Sequence, residues 1–190
     1  MAVKILAFAG SAKKDSYNKK LVAIAVEGAR AAGAEVTLID LKDYPLPIMD
    51  EDLEKEGTPA NATKLKELFK AHDALLISCP EYNSSITPLL KNTIDWVSRP
   101  APGEKPLAAY TGKVALLIAA SPGGFGGLRG LVTVRSILGN IQVTVLPEQF
   151  ALPKAFEAFD EKGQLKDAKQ QESVKGLGAK LAQVTAKLKA

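Results

Sequence analysis

Apolar and polar positions follow two periods along this chain. The runs VKILAFAG (residues 3–10), ALLISCP (74–80) and VALLIAA (114–120) are nearly continuous apolar stretches. Strands buried on both faces have this character. EVTLID (35–40) and QVTVLP (142–147) are shorter and more mixed, and read as two further strands. Between them the spacing turns helical. In NKKLVAIAVEGARAAGA, Leu21, Val22, Ala25, Val26 and Ala29 share one face, and Gly33 stops the run. ATKLKELFKAH puts Leu65, Leu68 and Phe69 on one side. Pro88 fits the first turn of a helix running to about Ser98. GLRGLVTVRSILG is another helix, and a lysine-rich one from about Asp167 to Leu188 closes the chain. LKDYPLPIMDEDLEKEGTPAN, rich in proline and acid, is predicted to be a long loop, and RPAPGEKP a turn-rich connection.

Strands and helices thus alternate, which predicts one α/β domain over residues 1–190. Its five-stranded parallel sheet carries helices on both faces, in the order 2-1-3-4-5. That order puts strands 1, 3 and 4 side by side, and ligands bind outside the carboxyl ends of such strands. The loops leaving those three strands have the most unusual composition in the chain: GSAKKDSYN, PEYNSS and SPGGFGG. PEQFALPK, after the fifth strand, looks ordinary by comparison.

The first loop opens a helix, whose free N–H groups and positive dipole end favour an anion. The hydroxyls of Ser11 and Ser16, the amide of Asn18 and the charge of Lys13 add a phosphate cradle. The plain alternative is a helix start capped by Ser16 or Asn18, with solvated lysines. Neither G-x-x-x-x-G-K-[ST] nor G-x-G-x-x-G is present, so a mononucleotide phosphate suits the loop better than ATP or a dinucleotide. In the second loop Pro80 stiffens the strand exit, Tyr82 offers an aromatic surface, and Glu81 and Asn83 accompany free backbone groups. A flat heterocycle fits this set, and so does an ordinary surface turn. The four glycines of the third loop let backbone approach a ligand, or form a surface hinge.

Composition removes other classes. Net charge is +4 with scattered lysines, which lacks the dense basic stripe of a nucleic-acid protein. No apolar run approaches about 20 residues, so no membrane span is expected, and the first residues do not resemble a signal peptide. One cysteine, Cys79, permits no internal disulfide and suits a reducing cytoplasm. One cysteine and one histidine cannot build a structural zinc site, so no metal is expected. His72-Asp73 precedes strand 3 and is expected at the opposite pole from the ligand, with His72 ending a helix. Cys79 is expected to be an inert core thiol. A receiver domain shares the strand order but needs acids where this chain has Gly10-Ser11 and Cys79-Pro80.

Taken together, GSAKKDSYN, PEYNSSITPLLKNTIDW and SPGGFGGLRG resemble the NAD(P)H-dependent FMN reductase family, flavodoxin-like proteins that include azo-, quinone- and chromate-reducing flavoproteins. The resemblance spans roughly residues 3 to 145. It implies FMN as cofactor and NADPH or NADH as co-substrate. It assigns the phosphate to Gly10, Ser11, Lys13, Ser16, Tyr17 and Asn18. The flavin ring would lie along Pro80, Glu81, Tyr82 and Asn83, flanked by Ser121, Gly123 and Gly124. Two positions depart from the pattern: Lys13 replaces the usual arginine, a point charge for a fork, and Ser84 stands where glycine is usual. The implied reaction is ping-pong hydride transfer from nicotinamide to flavin, then to a small-molecule acceptor, with no catalytic side-chain acid or base. A flavodoxin-type electron carrier is the rival reading, though such carriers are usually acidic and this chain is basic.

The helix after PEYN has an apolar face at Ile86, Leu89, Leu90, Ile94 and Val97. Trp96 falls off that face, with Asn92 and Arg99. This predicts an outward tryptophan at the interface of a homodimer or homotetramer; the plain alternative is a tryptophan covered by the proline-rich loop that follows.

Overall fold

A computed structural model describes residues 2–189. Strands β1 (Lys4–Ala9), β2 (Glu35–Leu38), β3 (Ala74–Ser78), β6 (Val114–Ala120) and β7 (Thr144–Leu152) form one parallel sheet in the order β2-β1-β3-β6-β7. This is the expected 2-1-3-4-5 order of a flavodoxin-like three-layer fold. β3 and β6 are buried at every position, as their unbroken apolar sequence requires. β2 is an exposed edge. β7 is the other edge and runs further than its sequence suggests. It bulges between Val145, which pairs with Ala115, and Gln149, which pairs with Leu117. Pro147 lies within this bulge, where no ladder donor is needed.

Side chains alternate across the sheet into two cores. Ile5, Ala7 and Ala9 face helices α1 (Tyr17–Ala31) and α7 (Ala168–Lys189). Leu6 and Phe8 face α3 (Ala60–Ala71), α4 (Pro88–Ser98) and α5 (Leu128–Asn140). A short helix α6 (Ala155–Ala158) follows β7. Glycine sets the closest contact: a Cβ on Gly28 would lie 1.9 Å from the Lys175 carbonyl oxygen, and one on Gly178 1.9 Å from that of Ala25. Helices α1 and α7 therefore touch backbone to backbone.

Two expectations need correction. The stretch 41–61 is not all loop: a 3-10 turn spans Leu41–Asp43, and helix α2 spans Glu51–Glu56. Asp50 caps α2 by accepting the N–H groups of Asp52 and Leu53, and three acids in the first turn suit the dipole. No residue of α2 is buried, so it has no apolar stripe to betray it. Trp96 is not outward. It is 1% exposed and donates its indole N–H to the Pro47 carbonyl at 2.8 Å. Asn92 donates to the same carbonyl and accepts the Met49 N–H. The polar side of α4 is thus a second packed face, covered by the chain before α2.

Among the described residues no helix is long and apolar enough to cross a membrane.

Candidate functional site

The three unusual loops converge. A cleft of about 250 Å³ at the carboxyl end of the sheet is lined by Ser11, Lys13, Ser16, Tyr17 and Asn18 from the first loop, and by Pro80, Glu81 and Tyr82 from the second. Ala120, Ser121 and Pro122 complete it from the third. Sequence reasoning missed Ala120 and Pro122. Both adjoin predicted residues, and a rule extending to loop neighbours finds them.

The first loop is folded on itself, with Ser11 Oγ accepting the Lys13 N–H at 3.2 Å. Ser16 occupies the N-cap of α1 in extended conformation, yet its hydroxyl makes no capping bond. Its carbonyl takes the N–H groups of Lys19 and Lys20. The N–H groups of Tyr17 and Asn18, in the first turn, have no helical acceptor available to them. A buried N-cap serine that leaves its hydroxyl uncommitted is set up for an anion. Lys19, in the same turn, is occupied by Asp40 at 2.5 Å. Lys13 makes no ion pair among the described residues.

Asn18 has a different job from Ser16. Its amide oxygen accepts the Ser78 hydroxyl at 2.8 Å and the Ala120 N–H at 3.0 Å, and its amide nitrogen donates to the Ala120 carbonyl at 2.8 Å. The side chain rivets α1 to the ends of β3 and β6. It holds the loops together and offers the cleft mainly its backbone N–H. Gly10, by contrast, does not line the cleft: a Cβ there would sit 2.9 Å from Leu90 Cβ. Its carbonyl accepts the Thr87 hydroxyl at 2.8 Å, which ties the start of α4 to the first loop.

PEYNSS is a β-hairpin, with β4 (Glu81–Tyr82) pairing antiparallel to β5 (Ser85–Ile86). Asn83 (φ 49°) and Ser84 (φ 67°) at its tip are both left-handed, the pattern of a type I′ turn. Asn83 therefore sits at the tip and outside the cleft lining, while Tyr82 stays 58% exposed at the cleft.

Glu81 is the one carboxylate lining the cleft, and it is neutralised. Arg129 donates to its Oε1 at 3.0 and 2.6 Å, and the Gly130 N–H donates to Oε2 at 3.1 Å. Burial alone raises a carboxyl pKa, but these bonds outweigh it and hold Glu81 below its usual range. Arg129 also lies 5.1 Å from the Phe125 ring centroid. The signal for Arg129 was present: it breaks the G-x-G-x-x-G reading at the last glycine.

Within the glycine loop, Gly123 and Gly124 have open space where a side chain would stand, with only Ser121 Oγ at 3.6 Å from a Cβ on Gly123. Both lie just beyond the lining residues. Gly126 and Gly127 are the two the fold demands. Both have positive φ, and a Cβ would come within 2.7 Å of Leu152 and Ala119 respectively. The loop after β7 joins in: the N–H of Ala155 donates to the Ser121 carbonyl and that of Lys154 to the Gly123 carbonyl.

The donor set suits a phosphorylated flat ligand. One end of the cleft has hydroxyls, helix N–H groups and a lysine; the other has a proline, a tyrosine and open backbone. No unpaired carboxylate repels an anion. No group of three or more His, Cys, Asp or Glu among the described residues could hold a metal ion. Cys79 is wholly buried, and burial pushes its thiol well above the usual range. His72 lies at the other pole, where Nδ1 faces the Leu68 carbonyl at 2.6 Å and Nε2 the Thr37 hydroxyl at 2.8 Å.

Known proteins share this architecture. The FerB flavoenzyme of Paracoccus denitrificans, an NAD(P)H:(acceptor) oxidoreductase, superposes with a TM-score of 0.82 at 26% identity, covering 98% of both chains. An NAD(P)H-dependent FMN reductase of Pseudomonas aeruginosa is 35% identical over 90% of this chain and 89% of its own. An NAD(P)H:quinone oxidoreductase of Solanum tuberosum is 32% identical over 98% of this chain and 95% of its own. Residues 3–157, most of the chain, match the family described as NADPH-dependent FMN reductase, and a cleft whose donors suit a phosphorylated flat ring is consistent with that match: the protein belongs to that family.

Proposed function

We propose that the protein, one flavodoxin-like domain over residues 1–190, is an NAD(P)H-dependent FMN reductase that passes electrons to quinone-like acceptors by a ping-pong cycle. One observation carries the residue assignment: an uncommitted Ser16 hydroxyl, two first-turn N–H groups and unpaired Lys13 share a cleft whose single carboxylate is neutralised. Bound FMN supplies the two-electron chemistry, because no side chain of the cleft has it.

The chain's part is to hold and to exclude. Ser11, Ser16, Lys13 and the N–H groups of Tyr17 and Asn18 bind the phosphate. Pro80, Glu81, Tyr82 and Asn83 place the hairpin along the ring, and Arg129 keeps Glu81 from opposing negative charge there. Ser121, Gly123 and Gly124 border the ring from the other side and leave one face open to nicotinamide and then to a flat acceptor. Gly10 lets α4 approach so that the first and second loops meet.

The buried free Cys79 fits a cytoplasmic enzyme. Homo-oligomer formation belongs to the same reading, but Trp96 no longer carries it. Leu128 and Val132 stand exposed one turn apart on α5, with exposed Phe125 before them and Tyr82 on the hairpin that packs against this helix. A second copy of the chain is the expected cover for these four residues.

The deciding experiment is purification with FMN, followed by steady-state turnover of NADPH and NADH with a benzoquinone. Absorbance near about 450 nm from held flavin and parallel double-reciprocal lines are expected. A protein that holds FMN but does not turn over with either nicotinamide would be an electron carrier instead. One that holds no flavin would refute the reading.

A further inference from the structure

The family match ends at residue 157, yet a residue just beyond it reaches the phosphate loop. The Phe159 ring stacks on that of Tyr17, with centroids 6.0 Å apart and planes within 4°. Each ring carries a lysine: Lys13 Nζ lies 5.8 Å from the Tyr17 centroid and Lys20 Nζ 5.7 Å from that of Phe159. Tyr17 and Lys13 line the cleft, while Phe159 and Lys20 do not.

Phe159 is held firmly. It bridges to Leu165 across a small buckle. Asp160 closes that buckle by accepting the N–H groups of Lys162 and Gln164, and Lys166 N–H returns to the Ala158 carbonyl. Gln164 reaches Glu27 on α1. By contrast, Lys13 is an exposed side chain on a loop, with no ion pair among the described residues to fix it. A lysine is a flexible point charge and loses rotamer freedom when it binds an anion. An aromatic face within about 6 Å attracts the ammonium and narrows its range.

We infer that Phe159, through its stack on Tyr17, is a positioning residue that holds the Lys13 ammonium at the phosphate end of the cleft. This inference rests on the proposed phosphate role of the first loop. A lysine ammonium is a point charge without a planar fork, so the ring supplies orientation that the side chain lacks by its own shape. Phe159 touches neither cofactor nor substrate in this scheme; its effect passes through two other side chains.

The test compares FMN with riboflavin, which has the same ring and no phosphate. Apo-protein is titrated with each flavin for the wild type, Lys13→Ala, Phe159→Leu, Phe159→Tyr and the Lys13→Ala/Phe159→Leu double variant. Phe159→Leu should weaken FMN by about three- to fivefold and leave riboflavin unchanged. Phe159→Tyr keeps the stack and should bind both flavins as the wild type does. The double variant should lose no more than Lys13→Ala alone, because the two act as one unit. Equal loss for FMN and riboflavin in Phe159→Leu, or no loss of FMN, overturns the inference while Lys13→Ala still discriminates between the flavins. If Lys13→Ala itself fails to discriminate, the phosphate role of Lys13 falls, and the inference with it.

Discussion

At the amino end of the sheet, Asp73 accepts the Lys4 N–H at 2.8 Å and the Lys189 ammonium at 2.6 Å. Lys113 donates to the His72 carbonyl, and both nitrogens of the His72 ring are engaged. Burial pulls the Lys113 ammonium below its usual range, with Asp73 opposing that shift. At the carboxyl end, Ser16 caps a helix without using its hydroxyl, Lys13 pairs with no carboxylate among the described residues, and Asn83 and Ser84 sit in left-handed backbone. Lysines and hydroxyl side chains occur at both ends, Lys113, Lys189 and Thr37 at one and Lys13 and Ser16 at the other. What separates the poles is whether their bonding capacity is spent. A titratable pair such as His72-Asp73 resembles catalytic machinery in sequence but is fully spent on its own fold. The serine and lysine of the other pole keep their bonding capacity, as the proposed phosphate site requires.

Substitutions can break this contrast, and the largest effect is expected from Asn18, a spent residue at the open pole. Asn18→Ala strands the Ser78 hydroxyl and both backbone groups of Ala120. It should cost about 3 kcal/mol in urea unfolding and remove FMN binding along with it. If stability holds while only FMN is lost, Asn18 is a ligand and not a rivet.

Unspent residues should behave in the opposite way. Ser16→Ala and Lys13→Ala are each expected to weaken FMN, by up to about 1.5–3 kcal/mol where the bond to phosphate is charge-assisted, with unfolding midpoints unchanged. Titration of apo-protein gives the first number and a urea curve the second. Unchanged FMN affinity in both variants removes the first loop from the site.

At the spent pole the pattern inverts. Asp73→Asn should cost about 1 kcal/mol at pH 7, with turnover retained. Burial raises the Asp73 carboxyl pKa, but its bonds to Lys189 and the Lys4 N–H more than offset this, so the folded value lies below the usual one. Its contribution is therefore complete above the unfolded carboxyl value and disappears as pH falls through the folded value. The stability gap between wild type and Asp73→Asn should shrink below about pH 4. A gap that widens there would mean the carboxylate is not the favoured form.

The smallest effect probes strain. Ser84 holds φ at 67°, where glycine is at ease. Ser84→Gly should gain stability by about 0.5–1 kcal/mol, because strain relief outweighs the added freedom of the unfolded chain. A loss measured by thermal unfolding would show that the serine side chain earns its place at the tip.

How much of this the sequence discloses depends on which force placed each residue. β3, β6 and their loops were legible because burial on both faces writes an unbroken apolar run, and strand order then brings the loops together. The span Pro88–Ser98 was legible because Thr87 and Pro88 mark its start. Helix α2 was hidden because its caps and charges carry no periodicity. Trp96 was misplaced because a helical wheel reports faces and not what covers them; the Pro47 carbonyl comes from 49 residues away. The second task of Asn18, holding Ser78 and Ala120, was hidden because nothing local reveals them as its partners.

The paired glycines of α1 and α7 bear on how the protein is made. Helix α1 rests its Ala25–Ala29 face on α7, a helix of 22 residues far along the chain. While α7 is still inside the ribosomal tunnel, α1 has an uncovered apolar face and the loop before it has no fixed support. Early strands can collapse during synthesis, but this contact spans almost the full chain and closes late. Acquisition of flavin should follow the emergence of α7 and not precede it. Nascent chains stalled after Asp167 are expected to be cut by protease within α1, at sites that the released protein shields.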